Sequence, residues 1–486
     1  MTEERKVSDS ARSVRDRISY NAATRFAGRS AGALLSLVAL RLAAHYFEPL
    51  GWGPIVTALA FANLFSTVAD FGVSNLLSRD LARPGEEAGS LFGGGLVGAA
   101  VSSLTLTAAA AALAAIAFHG RANVFLLIVI MLPTIPLSAL FATASAVLVA
   151  RSRNDVRALF DVVSSLIPLS GVVALIAAHA SGEAYAAVQS LTDLLMAAIG
   201  LAVVVPMSRP ALRLGFGRGL RILRSSVPLG IYQATLIIYD QLDTLLVAGF
   251  LSVTDVAWFG LASQMTAFFS AVPAMVTVAA IPTFMRKDTA GRRALVQQLA
   301  EVLTVAAVLV CMIGVLFSKE IIVVIGGARY LEASTAASLL FAATALNFLT
   351  AVFVTVGYLL SMPRLFLRTN LLVLGSNIAC NLVAIPLWGI DGAGAAALVS
   401  QVVGVVYSGW MVRSTTALMP GLGGVARLVA AGAALAGLGL LVDHLAGLGP
   451  TGWAVVLEAA LVALVYLAAA ARLIYWPPRR AFPPEP

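Results

Sequence analysis

Asn21, Arg25 and Arg29 recur at four-residue spacing and so share one face of a helix, with Arg41 three turns further along. They lie in or beside an apolar run, where an arginine at the centre of a membrane helix costs roughly 2.5–3.5 kcal/mol on insertion scales. Two readings of that cost stand. The guanidinium groups face a water-filled cavity as an electropositive track, where each can bind phosphate oxygens in a bidentate way. Otherwise Arg25 and Arg29 snorkel to the inner interface and Arg41 to the outer one.

The acidic groups within apolar runs are Asp70, Asp193, Asp240, Asp243 and Glu458. Asp240 and Asp243 are one helical turn apart and point in neighbouring directions, an arrangement suited to a coupling cation or a transferred proton. The alternative is that these carboxylates neutralise membrane arginines or cap helix ends. Asn370, Asn377 and Asn381 fall on one face at spacings of seven and four. Their amides are suited to a sugar or to hydrogen bonds with a neighbouring helix.

Soluble catalytic signatures are absent: there is no Walker loop, HExxH, GxSxG or paired-cysteine motif. Cys311 and Cys380 both fall inside apolar runs, and His45, His119, His179 and His444 are far apart in sequence. The expectation is a non-enzyme with no cofactor and no metal. Without an ATPase motif, any active transport draws on an ion gradient, the membrane potential or removal of substrate.

Composition explains why these groups matter. Of 486 residues, 60% are hydrophobic and 12% charged, about half the charge of a soluble domain. The net charge of +8 is dispersed over loops, without the basic face that a nucleic-acid partner requires. Apolar windows place helices near 22–45, 54–77, 91–117, 122–149, 158–178, 184–206, 226–250, 254–282, 297–317, 334–360, 365–387, 392–412, 424–445 and 452–475. The fold expected is all-α, a polytopic membrane protein of about 14 transmembrane helices. The first apolar run follows Arg12, Arg15 and Arg17, lacks a clear cleavage motif, and is expected to be a retained helix rather than a signal peptide.

Lys and Arg fall in alternate connecting segments; the exceptions among 32 are Arg121, Lys319 and Arg329 in the opposite loops and Arg25, Arg29 and Arg41 at helix 1. By the positive-inside rule both termini face the cytoplasm, in an inner membrane. The basic loop containing Arg209, Arg213, Arg218, Arg221 and Arg224 divides the first twelve helices into six and six. The expected organisation is an N-terminal lobe (1–206), a basic linker (207–225), a C-terminal lobe (226–412), two extra helices (413–475) and a proline-rich tail (476–486). LRLAAHYFEPLGWGPIVTALAF and LDTLLVAGFLSVTDVAWFGLAS, after helices 1 and 7, suggest that the six-helix lobes are an internal repeat, a recurrent transporter plan.

Three segments, YFEPLGWGPIVTALAFANLFSTVADFGVSNLLSRDLAR, SVPLGIYQATLIIYDQLDTLLVAGF and SNIACNLVAIPLWGIDGAGAAALVSQVV, carry a resemblance to the Wzx-type oligosaccharide flippases of the multidrug/oligosaccharidyl-lipid/polysaccharide exporter superfamily. The chain resembles that family along nearly its whole length. The resemblance implies two lobes around a cationic cavity, with polyprenyl diphosphate-linked sugar repeat units as substrate and surface polysaccharide as the product they serve. It places Arg41, Asp70, Arg79, Asp243, Asn381 and the Gly392 to Ala396 turn at matching positions. Arg25 and Arg29 match no family motif and rest on helix geometry. FEPLGWG also departs from the plain LGP of the family's first turn.

The expected function is flipping of lipid-linked oligosaccharide by alternating access, with Arg25, Arg29, Arg41, Asn377 and Asn381 toward substrate. Asp70, Asp240 and Asp243 are expected to serve coupling or gating. Expected partners are the lipid-linked substrate, membrane lipids, and polysaccharide polymerases and glycosyltransferases. Two alternatives remain open: a cation-coupled drug exporter of the same fold, and a membrane-embedded assembly partner that transports nothing. The basic helix 1 speaks against a cavity built for cationic drugs. The short outer loops, the longest near Ser318 to Ala333, speak against an integral membrane glycosyltransferase or polymerase.

Overall fold

The computed structural model describes all residues except 1–2, 84–87, 209–214, 271, 274–275, 278–279, 281–283, 285–288, 361, 417, 447–451 and 476–486. The described chain is helical almost throughout, without strands among the described residues. In chain order the α-helices are α1 (Glu3–Val68), α2 (Val73–Leu81), α3 (Ala88–Ala117), α4 (Ala122–Met131), α5 (Thr134–Ala150), α6 (Asn154–Ala177), α7 (Gly182–Ser208), α8 (Gly215–Phe250) and α9 (Val253–Ser270). They continue as α10 (Thr289–Leu316), α11 (Ser318–Gly326), α12 (Ser334–Leu359), α13 (Pro363–Thr415), α14 (Leu422–Ala446) and α15 (Gly452–Tyr475). All fourteen expected segments coincide with helix, although part of the 254–282 segment lies outside the described residues.

Eight helical stretches among the described residues are long and apolar enough to cross a membrane. Two of them, Gly28–Leu81 and Leu367–Thr415, have 54 and 49 residues, more than twice the roughly 20 that one crossing needs. Near its middle each is broken by a residue outside helical geometry, Glu48 (φ 53°) in α1 and Gly389 (φ 59°) in α13, and the first is interrupted again between Val68 and Val73. Pro49 follows the first break, and its missing N–H and fixed φ suit a helix start. Each stretch therefore passes the bilayer twice, and the protein is a multi-pass membrane protein. Pro133 and Pro136 lie where α4 gives way to α5, so the expected 122–149 helix is interrupted by a turn at Leu132 and Pro133.

Three connections differ from the sequence expectation. Helix α1 begins at Glu3 rather than near residue 22. Much of the expected basic linker is helix, since α8 begins at Gly215 and includes Arg218, Arg221 and Arg224. The segment from Ser318 to Ala333, expected to be a loop, is also ordered: α11 and a 3-10 turn (Ala328–Ala333) fill it, and Trp258 Nε1 donates to the Arg329 carbonyl at 2.9 Å.

The chain forms two compact units, Met1–Ala248 and Gly249–Pro486. In the first, Leu77, Phe92, Val147, Phe160 and Met196 share a buried cluster that ties α2, α3, α5, α6 and α7 together. Helix α8 joins this unit through glycine. A Cβ on Gly219 would stand 2.9 Å from the Gly94 carbonyl oxygen and 3.0 Å from the Gly98 nitrogen of α3. In the second unit, Phe284, Leu299, Phe353, Val356 and Leu365 form the corresponding core of α10, α12 and α13.

Backbone atoms cannot yield as side-chain ends do. Gly219→Ala is expected to destabilise the protein by about 1–3 kcal/mol, while Gly217→Ala, with nothing within 4 Å of its added Cβ, should be neutral or slightly stabilising. Thermal unfolding of both variants in detergent, followed by size-exclusion chromatography, checks the difference.

Candidate functional site

The first group of singled-out residues surrounds an interruption of the second crossing. The α1 helix ends at Val68 and α2 resumes at Val73, inside the apolar stretch rather than at its border. Phe71 (φ 46°) and Gly72 (φ 79°) occupy the left-handed region between them, a conformation that glycine accepts without strain and phenylalanine rarely adopts. In hydrocarbon the freed backbone groups must find partners. The Asp70 carboxylate accepts the Gly72 and Ser74 N–H groups at 3.2 and 3.0 Å, and so caps α2. Ser102 Oγ donates to the Ala69 carbonyl at 2.7 Å, and Ser138 Oγ to that of Ser66 at 2.9 Å.

This joint touches α8. A Cβ on Gly230 would lie 2.6 Å from the Phe71 ring and 2.7 Å from its carbonyl oxygen, and one on Gly72 would lie 3.1 Å from the Gly230 nitrogen. The two backbones therefore approach closely, with the Phe71 ring and the Leu229 side chain packed beside the contact. Asp70 itself is 5% exposed, and each of its carboxylate oxygens accepts one bond of the cap. Further along α8, Asp240 is exposed, whereas Asp243, one turn later, is buried and not free.

The basic face of α1 lies in the same unit. Gly28 and Gly32 press against α6, within 2.8 Å of Ala158 and 2.7 Å of the Asp161 carbonyl for an added Cβ. Arg29 and Arg41 are exposed. Twelve helical residues separate them, so they differ in direction by about 120° around the axis. The side chains of Asn21 and Arg25 lie outside the described residues. Arg79 belongs to an exposed cluster in which Arg79 Nε and Arg83 Nη1 lie 3.1 and 3.6 Å from the Asp80 carboxylate.

The asparagines belong to the second unit, in the hairpin of α13. Its two arms are antiparallel: Gly404 faces Val373, and Gly392 faces the Ala384 carbonyl. That register sets Asn377 opposite Ser400 and Asn381 opposite Ala396. Asn377 and Asn381 are fully buried, and Asn381 Nδ2 donates to Asn377 Oδ1 at 3.1 Å. In this conformation the two amides bond to each other, and Asn377 Nδ2 is buried without a partner among the described residues. Gly389, three residues before the expected Gly392 turn, makes the reversal.

The sequence reading carried a straight helix through Asp70 and missed Phe71, Gly72, Ser102, Ser138 and Gly230. The available signal was the Asp-Phe-Gly triplet, since Asp and Gly close together mark turns even in apolar surroundings.

Residues 44–335 match the model of a family described as "Polysaccharide biosynthesis protein". No curated protein sequence matches the chain. Among solved structures the chain is similar to the lipid II flippase MurJ in an inward closed conformation, with TM-score 0.76 and 14% identity over 94% of this chain and 99% of that one. It is also similar to the MATE transporter VcmN of Vibrio cholerae (TM-score 0.56, 15% identity, 82% of this chain and 98% of the other). A third likeness is to the MATE multidrug transporter DinF-BH (TM-score 0.60, 16% identity, 82% and 95%). At these identities the likeness is one of fold.

If the Asp70 carboxylate holds the joint, Asp70→Ala should cost about 1–2 kcal/mol of stability, and Asp70→Asn, which keeps one acceptor oxygen, clearly less. Thermal unfolding of the two purified variants measures this. Equal stability of Asp70→Ala and the wild type would remove the cap from the account.

Proposed function

The chain belongs to the polysaccharide biosynthesis protein family and has the fold shared by MurJ and the MATE transporters, and from that premise we propose that it flips polyprenyl diphosphate-linked oligosaccharide units across the cytoplasmic membrane. The observation that carries the reading is the family match over residues 44–335. The arginine face of α1 supports the anionic character of the substrate. Arg25 and Arg29 lie four residues apart on one helix, where a guanidinium pair can take the two phosphates of a diphosphate through charge-assisted hydrogen bonds. A cavity for cationic drugs would place carboxylates there instead.

The mechanism proposed is alternating access, in which substrate and coupling ion bias two conformations through different contacts in each. The joint of Gly72 and Gly230 supplies a place for such a change, because the helix is already interrupted there and neither glycine carries a side chain of its own. Asp243, buried in α8 and at a position matching the family's helix 7 aspartate, is the carboxylate assigned to coupling, with Asp240 beside it. Asn377 and Asn381 would reach a sugar only if the α13 hairpin loosened, so their part is to shape that wall. In this reading both termini are cytoplasmic, the chain performs no covalent chemistry, and polymerases and glycosyltransferases work on either side of it.

The test is flipping of a fluorescent polyprenyl diphosphate oligosaccharide in proteoliposomes. Wild-type protein should flip it, Arg25→Ala/Arg29→Ala should flip it about tenfold more slowly or worse, and Asp243→Asn should lose the response to an imposed ion gradient. Absence of flipping by folded wild-type protein, with efflux of a cationic dye instead, would turn the assignment to drug export. Neither activity would leave a role in assembly without transport.

A further inference from the structure

The α13 hairpin carries an apolar groove on its outer side, separate from the buried asparagines. It has a volume of about 380 Å³ and is lined by Leu372 of one arm and Val402, Val406, Tyr407 and Trp410 of the other. No polar surface contributes to its lining. Trp410 is 62% exposed, and its ring lies 6.0 Å from that of Tyr407. In water such a surface would need a protein cover. On a membrane helix the natural occupant is a hydrocarbon chain.

What distinguishes this groove from ordinary lipid-facing surface is its end. Arg368 precedes Leu372 by four residues, and Arg413 follows Trp410 by three, so each continues the face that lines the groove. The arms are antiparallel, and both arginines therefore flank the same end of the groove, away from the reversal at Gly389. Both are exposed. The salt bridges among the described residues lie elsewhere, at Asp80 and Asp155. The sequence explains why: no Asp or Glu occurs between Glu332 and Asp443 except Asp391, which lies beside the reversal at the opposite end. Two guanidinium groups thus stand at the mouth of an apolar groove, and neither forms an ion pair among the described residues.

We infer that the groove is a binding site for an anionic glycerophospholipid, one acyl chain lying along Trp410 and Val406 and the phosphate held by Arg368 and Arg413. Basic groups between transmembrane helices at the interface select phosphate headgroups, and guanidinium pairs do so bidentately. The indole at the interface, with an apolar body and a polar N–H edge, fits the boundary between chain and headgroup. The inference requires only that the chain spans a membrane, and it stands whether or not the protein flips oligosaccharides.

The experiment places the full-length protein in phosphatidylcholine vesicles and titrates in phosphatidylglycerol with brominated acyl chains. Quenching of Trp410 is read as the difference between the wild type and Trp410→Phe. Brominated phosphatidylglycerol should quench Trp410 half-maximally at a mole fraction about tenfold below that needed for brominated phosphatidylcholine. Arg368→Gln/Arg413→Gln should erase the preference, and Arg368→Lys/Arg413→Lys, which keeps the charge, should retain most of it. Size-exclusion chromatography and thermal unfolding of the glutamine variant, matching the wild type, show that its loss is not a failure to fold. Equal quenching by the two lipids, or a preference that survives the glutamine substitutions, would overturn the site. Relief of quenching by unlabelled polyprenyl phosphate, at fractions where unlabelled phosphatidylglycerol gives none, would also overturn it and assign the groove to that lipid.

Discussion

Every backbone N–H and carbonyl inside hydrocarbon must find a partner within the protein, because an unsatisfied group there costs several kcal/mol. Continuous helix meets that demand automatically, so the informative places are those where helix stops. At Glu48 and Gly389 the chain reverses direction between two crossings. Between Ala69 and Gly72 it does neither. The interruption lies within an apolar stretch, and side chains from three different elements close its hydrogen bonds: Asp70 from the joint itself, Ser102 from α3 and Ser138 from α5. A break that recruits three partners in an apolar medium is maintained by the fold around it.

The contacts of α8 follow from the same medium. Between apolar helices in lipid the hydrophobic effect adds little, and association depends on close approach and hydrogen bonding. Gly219 against Gly94 and Gly98, and Gly230 against Phe71 and Gly72, bring α8 to backbone distance at two levels. Arg218 adds a hydrogen bond to Ser90 Oγ at 2.5 Å at the first level, and Arg121 reaches the Ala248 carbonyl at the far end of α8. The helix that carries Asp240 and Asp243 thus meets the rest of the first unit at three levels, near Gly219, Gly230 and Ala248.

The crossings were legible in the sequence because hydropathy over twenty residues is a property of length and composition, and the bilayer reads the same two quantities. The likeness to flippases was legible for the same reason, since its motifs sit at the turns between crossings. The joint at Asp70 was not. An apolar window averages across Asp70 and Gly72, and the residues that make the break tolerable, Ser102, Ser138 and Gly230, are distant in sequence and unremarkable in type. The amides of Asn377 and Asn381 show the converse. Their shared face was readable, but whether that face meets substrate or a neighbouring arm depends on the register of the hairpin, which Gly404 and Gly392 set through packing that spacing alone does not reveal.

Asp70 and Asp243 differ in what a cation would have to displace. A cation engaging Asp70 must compete with the Gly72 and Ser74 N–H groups, and with them for the geometry that lets α2 start where it does. Binding there would loosen the cap and free the contact with Gly230, so any coupling through Asp70 acts on the joint. Asp243 lies more than three turns beyond Gly230 on the same helix, and helix is stiff over that distance. A change in its occupancy can therefore reach the joint as a rotation or shift of α8 as a whole, to which a glycine contact offers little resistance. If the two carboxylates serve coupling as proposed, they would address one mechanical element from its two sides, Asp70 through the helix that is broken and Asp243 through the helix that is not.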